Sequence, residues 1–166
     1  NVVVADMNAA DETVERIQQS GGSAKAVKVH VSDEASVTKM ANEALAKFGR
    51  IDGLVNNAAY FREVKLTEFE QIDPQIWDRI FSVNVKGVWQ CCKAVMPAMR
   101  KQGSGSIVNI ASVVAVAGQP GYLHYVASKG AVLSMTKGLA KEVGKYGVRV
   151  NVIAPGFVIT DATRNR

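Results

Sequence analysis

Residues 1–31, NVVVADMNAADETVERIQQSGGSAKAVKVHV, contain two apolar runs separated by a helical pattern. The first run, NVVVAD, is rich in β-branched residues and predicts a strand. Val14 and Ile17, followed by a Gly-Gly pair, predict a helix of about 12 residues. The second run, AKAVKVHV, alternates in polarity and predicts another strand. Two strands joined by a helix are typical of a parallel pair with a right-handed crossover connection.

The same alternation of strands and helices continues along the rest of the chain. Ser32 is the predicted N-cap of the next helix, and Asp73-Pro74 begins the one after it. That helix is expected to bend near Asn84 or Gly87. Further strands are predicted at 51–59, 105–112 and 148–156, and further helices at 32–49, 74–100 and 122–145. The pattern predicts a single α/β domain over residues 1–166, with a doubly wound parallel sheet covered by helices on both faces.

Charge and cysteine content narrow the class of protein. The 166 residues carry a formal net charge of +5, but the basic residues are scattered, which indicates neither a nucleic-acid partner nor a membrane surface. No apolar run reaches the roughly 18–20 residues of a membrane span, and no signal peptide is expected. Cys91 and Cys92 are adjacent, so we expect small buried thiols in a reducing, cytoplasmic compartment rather than a disulfide. No metal site is expected, since CxxC and histidine-rich spacings are absent.

Polar or small residues follow each predicted strand, at the edge where such sheets bind ligands. They are Asp6, residues 30–33, residues 56–59, Ala111-Ser112, and Pro155-Gly156 with Thr160. Turn chemistry alone also favours Asn, Asp, Ser and Gly at these places. Because the feature recurs at all five strand ends, it predicts a ligand site.

Six stretches occur in a characteristic order over nearly the whole chain: VVVAD, NNAA, SVNVKG, VNIAS, YVASKGA and VRVNVIAPGFVIT. On these motifs the chain resembles the short-chain dehydrogenase/reductase family. The resemblance implies a Rossmann-like fold and an oxidoreductase that moves a hydride between a nicotinamide cofactor and a secondary alcohol or carbonyl group. It also implies a catalytic set made of Asn84, Ser112, Tyr125 and Lys129.

The chemistry of these residues is consistent with that implication. A phenol has an unperturbed pKa near 10, and a lysine ammonium one helical turn away is expected to lower the pKa of Tyr125 by about 1–3 units. Tyr125 would then act as general base or acid, and Lys129 would also hold the nicotinamide ribose. Ser112 would stabilise the substrate oxygen, and Asn84 would hold a water in a proton relay. Tyr125 as an ordinary half-buried residue and Lys129 as a solvated charge are the alternatives.

Asp6 decides the predicted cofactor. An acidic residue at this strand end accepts hydrogen bonds from the adenosine ribose and repels a 2′-phosphate, so we predict NAD rather than NADP. Asp6 as a turn former is the alternative, and it is compatible with binding. The resemblance places the adenine near Val31 and His30, although His30 stands where an aspartate is usual. It implies that the other cofactor-binding residues are Asn56, Ala58, Tyr125, Lys129, Pro155, Gly156, Val158 and Thr160.

Substrate and subunit contacts are also expected. The side chains expected to face a small alcohol or carbonyl substrate are Ser112, Val114, Gln119, His124 and Tyr125, and they select no ligand class. The helices at 74–100 and 122–145 resemble those through which the family forms dimers and tetramers, so a homo-oligomer is expected.

A glycine-rich turn, on which the family binds the pyrophosphate, is absent before Asp6. The resemblance therefore implies a sheet that is incomplete at both ends, with a gap between the strands that end at Asp6 and Asn57. A fragment of this kind is expected to bind NAD poorly by itself. Two other functions stay open: a non-catalytic nucleotide-binding or scaffold protein on the same fold, and an NADP-linked reductase of the 3-oxoacyl type, against which Asp6 argues.

Overall fold

The computed structural model describes residues 1–159 as a succession of strands and helices in the predicted order. The strands are β1 (Val2–Asp6), β2 (Ala24–Lys28), β3 (Gly53–Asn56), β4 (Gly105–Ile110) and β5 (Val148–Ile153). The helices are α1 (Asp11–Gln19), α2 (Glu34–Phe48), α3 (Pro74–Phe81), α4 (Gly87–Gln102), α5 (Val114–Ala117) and α6 (Leu123–Val143). The strands end two to three residues earlier than several predicted runs, because the polar tails of those runs form the loops that follow.

All strand pairs in residues 1–159 are parallel, as predicted. One sheet contains β1 and β2, and a second contains β3, β4 and β5 in that order. In the second sheet Leu54 lies opposite Ile107, and Ile107 lies opposite Val150. No ladder joins β1 to β3, and a groove of about 570 Å³ lies between them, lined in part by both strands and by α2 and α4. The expected gap between the strands ending at Asp6 and Asn57 is therefore present.

The main core joins the second sheet to the helices that carry the candidate site. Ile107 of β4, Met99 of α4 and Val132 of α6 are completely buried, and they belong to one cluster with Val148 and Val150 of β5. Burying such side chains contributes about 1.5–3 kcal/mol each. This packing fixes α4 and α6 against the sheet of β3, β4 and β5.

Helix ends follow the capping rules, with one correction. Asp73 accepts a hydrogen bond from the Gln75 amide, and Pro74 occupies the first helical position, as predicted. The N-cap of α2 is Asp33, whose carboxylate accepts from the Ala35 amide, so the prediction of Ser32 was wrong by one residue. A carboxylate at this position also interacts favourably with the helix dipole.

The long predicted helix from Pro74 is irregular where a bend was predicted. A π-helical segment, Ser82–Lys86, joins α3 to α4, and such segments are frequent at functional sites. Gly87 begins α4 in contact with Val31, so a side chain at this glycine would collide with Val31. The π-segment carries the completely buried Asn84.

Cys91 and Cys92 are free and buried in α4, as predicted. Burial raises the pKa of the Cys91 thiol to about 11 and that of the Cys92 thiol to about 12. Neither thiol therefore forms a reactive thiolate near neutral pH. Across residues 1–159, no helix combines the length and apolarity that crossing a bilayer requires.

Candidate active site at the carboxyl ends of the strands

Helix α6 presents Tyr125 and Lys129 on one face, as their spacing predicts. The Lys129 side chain lies at the end of β4, where its Nζ donates a hydrogen bond to the Ile110 carbonyl at 2.7 Å. The same Nζ is 5.8 Å from the centroid of the Tyr125 ring. Lys129 is only 3% exposed, so its ammonium is largely removed from bulk water.

Ser112 comes to Tyr125 from the loop after β4. Its hydroxyl lies close enough to the Tyr125 phenol to lower the phenol pKa as a hydrogen-bond donor. The Val114 amide donates to Ser112 Oγ at 3.4 Å, and the Val113 amide donates to the Pro155 carbonyl at 3.0 Å. The loop that holds Ser112 is thus attached to the end of β5. The structure brings Ser112, Tyr125 and Lys129 together as predicted.

Burial shifts the pKa values of both titratable groups toward the neutral form. It raises the pKa of Tyr125, and the Ser112 hydrogen bond opposes the shift without cancelling it. It lowers the pKa of Lys129 from 10.5 to about 8. The predicted lowering of the phenol pKa by Lys129 is therefore opposite to the direction found. The physical reason is that desolvation of the half-buried phenol outweighs the opposing effect of the Ser112 hydroxyl.

The Asn84 amide is engaged by protein groups on both sides. Its Oδ1 accepts from the Tyr60 amide at 2.7 Å, and its Nδ2 donates to Ser128 Oγ at 3.1 Å and to the Tyr60 carbonyl at 3.4 Å. Ser128 Oγ in turn donates to the Tyr125 carbonyl at 2.8 Å. Asn84 therefore ties the loop after β3 to the first turn of α6. A relay water bound by Asn84 stays a prediction. The Asn84 side-chain amide is already bonded to Tyr60 and Ser128, so the Asn84 backbone is the better place for such a water.

Asp6 is exposed at the end of β1, where an adenosine ribose was predicted. Its Oδ1 accepts a hydrogen bond from the Asn8 amide at 2.8 Å. The side chain therefore shapes the turn after β1 with one oxygen, as the turn-former alternative predicted, and ribose binding by Asp6 stays a prediction. Val31 is half-buried, and its carbonyl accepts a hydrogen bond from Gln90 Nε2 at 2.6 Å. That bond fixes the backbone beside the predicted adenine position.

Asn56 at the end of β3 belongs to a buried polar ladder. Its Nδ2 donates to Asn109 Oδ1 at 2.8 Å and contacts Cys92 Sγ at 3.4 Å. Asn109 Nδ2 donates to Thr136 Oγ1 at 2.9 Å, and Thr136 donates to the Val132 carbonyl at 2.7 Å. The ladder links β3, β4 and α6, so the Asn56 amide nitrogen is committed to the fold rather than directed at a ligand.

The other predicted cofactor residues lie at the same edge of the strands. Ala58 and Gly156 are exposed and Pro155 is half-buried. Val158 is also exposed and makes a contact within the protein. Thr160 lies outside the described residues.

Among the predicted substrate residues, His124 is placed differently from expectation. Val114 is half-buried and Gln119 is exposed, but His124 is only 2% exposed. Its Nδ1 is buried and has no hydrogen-bond partner among residues 1–159, and burial lowers the imidazole pKa. His124 therefore lies in the protein interior, because its place on α6 turns it away from the cleft side occupied by Tyr125.

Comparison with known proteins decides the family. A family model described as enoyl-(acyl carrier protein) reductase matches residues 1–166. The chain belongs to the short-chain dehydrogenase/reductase family. It is 39% identical over 154 residues to the 3-oxoacyl-[acyl-carrier-protein] reductase FabG of Staphylococcus aureus (strain Mu50), covering 93% of this chain and 61% of that protein. It is 43% identical over 157 residues to the 3-oxoacyl-[acyl-carrier-protein] reductase of Synechocystis sp. (strain PCC 6803), covering 95% and 62%.

Solved structures of this family confirm the Rossmann-like fold. A gluconate 5-dehydrogenase from Burkholderia cenocepacia J2315, solved in complex with NADP and tartrate, superposes with a TM-score of 0.91 at 33% identity, covering 98% of this chain and 64% of that one. A xylitol dehydrogenase solved with NAD⁺ gives a TM-score of 0.88 at 31% identity, covering 95% and 61%. The chain thus spans about three fifths of the length of the relatives it matches.

Some residues of the site could not be found from the sequence. Ser128 lies three residues after Tyr125, and its helical spacing was the only signal for its contact with that turn. Phe61 reaches the site from a loop far away in sequence, where no periodic pattern indicates position. Within residues 1–159, no group of three or more His, Cys, Asp or Glu side chains is placed to hold a metal ion.

Proposed function

We propose that the protein is a nicotinamide-dependent oxidoreductase that interconverts a carbonyl group and a secondary alcohol, with Tyr125 as the proton donor or acceptor. The observation that carries this proposal is the convergence of three side chains from two elements: the Ser112 hydroxyl lies close enough to Tyr125 to lower the phenol pKa, and Lys129 Nζ lies 5.8 Å from the centroid of the phenol ring. This arrangement supports an enzyme over a non-catalytic scaffold protein on the same fold, since a scaffold has no need of a buried lysine.

The residues present fit a dinucleotide. Lys129 is buried, yet its ammonium has three protons and the described structure gives it one hydrogen bond, to Ile110. The other two protons suit the hydroxyls of a ribose. Asp6 has one carboxylate oxygen committed to the Asn8 amide, which leaves the second for the adenosine ribose. When bound, the nicotinamide would supply or accept the hydride, and the protein would supply the proton and the hydrogen bonds.

The protonation states support reduction at neutral pH. Because burial raises the pKa of Tyr125, the phenol carries its proton near neutral pH. It can therefore donate that proton to a carbonyl oxygen as negative charge develops there. Ser112 would donate to the same oxygen and stabilise the charge. Oxidation of an alcohol would require the phenolate instead.

NAD is the proposed cofactor. The Asp6 carboxylate would repel a 2′-phosphate, and Met7-Asn8 follow it rather than an arginine. The second candidate is an NADP-linked reductase of 3-oxoacyl thioesters. It is favoured by the names of the bacterial relatives and by the NADP in the gluconate 5-dehydrogenase structure, whereas the NAD⁺ in the xylitol dehydrogenase structure favours the first.

A homo-oligomer and a reducing location are also part of the proposal. Trp89 on α4 and Leu123 on α6 are about half exposed, and large apolar side chains on two helices suit contact with a second copy of the protein. A dimer or tetramer through α4 and α6 is therefore proposed, with light scattering of the full-length protein as the test. A cytoplasmic location agrees with Cys91 and Cys92 as free thiols.

The test of the proposed function uses the full-length protein. NADH and NADPH oxidation would be followed by absorbance with a 3-oxoacyl thioester, a keto-sugar acid and a ketose as substrates. Activity of the wild type with at least one of them is expected, and Tyr125→Phe should reduce kcat by roughly 10²–10⁴-fold. Turnover that survives Tyr125→Phe at the wild-type rate would refute the assigned role.

The matched control for this test is Tyr146→Phe. Tyr146 follows α6 in the turn before β5, where its ring contacts Arg100 rather than Ser112 or Lys129. The same loss of a phenol hydroxyl should leave kcat unchanged there. Absence of any cofactor binding by the full-length protein would favour the scaffold alternative.

A further inference from the structure

An aromatic side chain from the loop after β3 lies directly on the proposed proton donor. The centroid of the Phe61 ring is 4.7 Å from that of Tyr125, with an interplanar angle of 42°. Phe61 also lies 6.2 Å from the Tyr122 ring. Aromatic pairs at such centroid distances attract each other beyond the burial of their surface. The Tyr125 ring is therefore held between its own helix and a residue 64 positions earlier in the sequence.

Three other contacts fix the position of Phe61. Asn84 binds both the amide and the carbonyl of Tyr60, the preceding residue. The Arg79 guanidinium lies 5.0 Å from the centroid of the Tyr60 ring, and the Val64 amide donates to the Phe61 carbonyl at 3.0 Å. The loop is thus anchored on both sides of Phe61.

These contacts are connected to one another and hold both the backbone and the ring of Tyr125. Asn84 also binds Ser128, whose hydroxyl donates to the carbonyl of Tyr125 itself. The backbone of Tyr125 is therefore fixed through Ser128 and Asn84, and its ring through Phe61, with Tyr60 joining the two paths. A loop that merely crossed the surface would need none of these bonds.

We propose that Phe61 is a positioning residue for Tyr125, which orients the phenol ring toward Ser112 and shields it from water. The inference rests on the proposed function and extends it, since it assigns the position of the proton donor to a residue outside the helix that carries it. Burial is the largest cause of the raised pKa of Tyr125, and the Phe61 ring is one of the groups that bury it.

The first test measures the phenol without requiring activity. The full-length protein would be labelled with [¹³Cζ]tyrosine and titrated by NMR, and the Tyr125 signal would be assigned by its loss in Tyr125→Phe. Phe61→Ala admits water to the ring, so the pKa of Tyr125 should be lower than in the wild type. Phe61→Leu keeps an apolar side chain, and its pKa should lie between the two. Phe69→Ala is the matched control, because Phe69 is 63% exposed on a neighbouring turn.

The second test measures turnover. Phe61→Ala should reduce kcat about tenfold, as is typical when a reacting group loses its orientation, while the KM for the cofactor changes less than twofold. The pH at which reduction declines should move to lower values together with the NMR pKa. Circular dichroism and the melting temperature of each variant would show whether the fold is retained, and Phe61→Leu serves if Phe61→Ala unfolds.

Each outcome bears on one of the two proposals. An unchanged pKa of Tyr125 in both Phe61 variants, or a loss of activity that appears only as a raised cofactor KM, overturns the positioning role. An inactive wild type overturns the proposed function, and the NMR titration still decides whether Phe61 controls the phenol. An effect of equal size in Phe69→Ala would show that the change is not specific to the ring contact and would also overturn the inference.

Discussion

Replacement of Lys129 by methionine should make the protein more stable and inactive at the same time. Lys129 is 3% exposed, and burial lowers its pKa from 10.5 to about 8. The folded protein therefore binds this proton more weakly than the unfolded chain does. The charged form destabilises the fold below about pH 8, and stability recovers as the pH rises from about 8 to 10.5.

The size of the effect follows from the pKa shift. A shift of about 2.5 units corresponds to roughly 3 kcal/mol, present in full at about pH 7. Methionine has a similar length and no charge, but it loses the hydrogen bond to the Ile110 carbonyl, worth about 1 kcal/mol. The expected net gain for Lys129→Met is about 2 kcal/mol at about pH 7. It should nearly vanish at about pH 9.5, where most of the destabilisation of the wild type has already been relieved.

Urea denaturation of the full-length protein at the two pH values measures this difference. Lys137→Met is the matched control, because Lys137 lies exposed on the same helix, and it should change the free energy of unfolding by less than about 0.5 kcal/mol. A Lys129→Met variant that is less stable than the wild type at about pH 7 would contradict the reasoning. So would a stability difference that does not change with pH, since the predicted gain comes from one titrating ammonium.

Three further results are expected. Asp6→Ser should raise kcat/KM with NADPH relative to NADH by about tenfold or more, because a 2′-phosphate no longer meets a carboxylate; an unchanged ratio in steady-state assays would remove Asp6 from cofactor selection. Gly147→Ala should lower the free energy of unfolding by about 2 kcal/mol or more, because φ is +72° there and a Cβ would collide with the Gly103 carbonyl. A variant that denatures at the same urea concentration as the wild type would contradict this prediction. The kcat/KM for alcohol oxidation should rise with pH and level off only at a pH above the ordinary pKa of a phenol, because burial raises the pKa of Tyr125. A pH-rate profile that is flat above neutrality would exclude Tyr125 as the base.

The strands and helices could be predicted because their signals are local. Periodic apolar residues, a capping aspartate before proline and glycines after helices depend on neighbours within a few positions. The same locality explains the error at Ser32, since two adjacent capping residues compete and only the backbone conformation selects Asp33. The four-residue helix α5 was missed because VAVA has no helical periodicity that distinguishes it from a strand.

The sequence predicted which residues the structure brings together at the site, but not the direction of their pKa shifts. The motif identified Ser112, Tyr125 and Lys129, and their spacing placed the last two on one face of α6. The direction of the Tyr125 pKa depends on how much water the phenol loses, which is set by side chains from other parts of the chain such as Phe61. His124 shows the same limit, because only the packing of α6 determines that it points inward.

The opposite shifts of Tyr125 and Lys129 have one common cause. Burial raises the pKa of the phenol and lowers that of the ammonium, so both groups are driven toward their neutral forms. A neutral phenol is a proton donor, and a donor is what a carbonyl oxygen needs as it becomes an alcohol. The Lys129 ammonium still carries its charge below about pH 8, and that charge favours the phenolate that oxidation needs. Any group that accepts hydrogen bonds from the remaining protons of Lys129 would raise its pKa back toward 10.5 and keep the charge beside Tyr125 to higher pH.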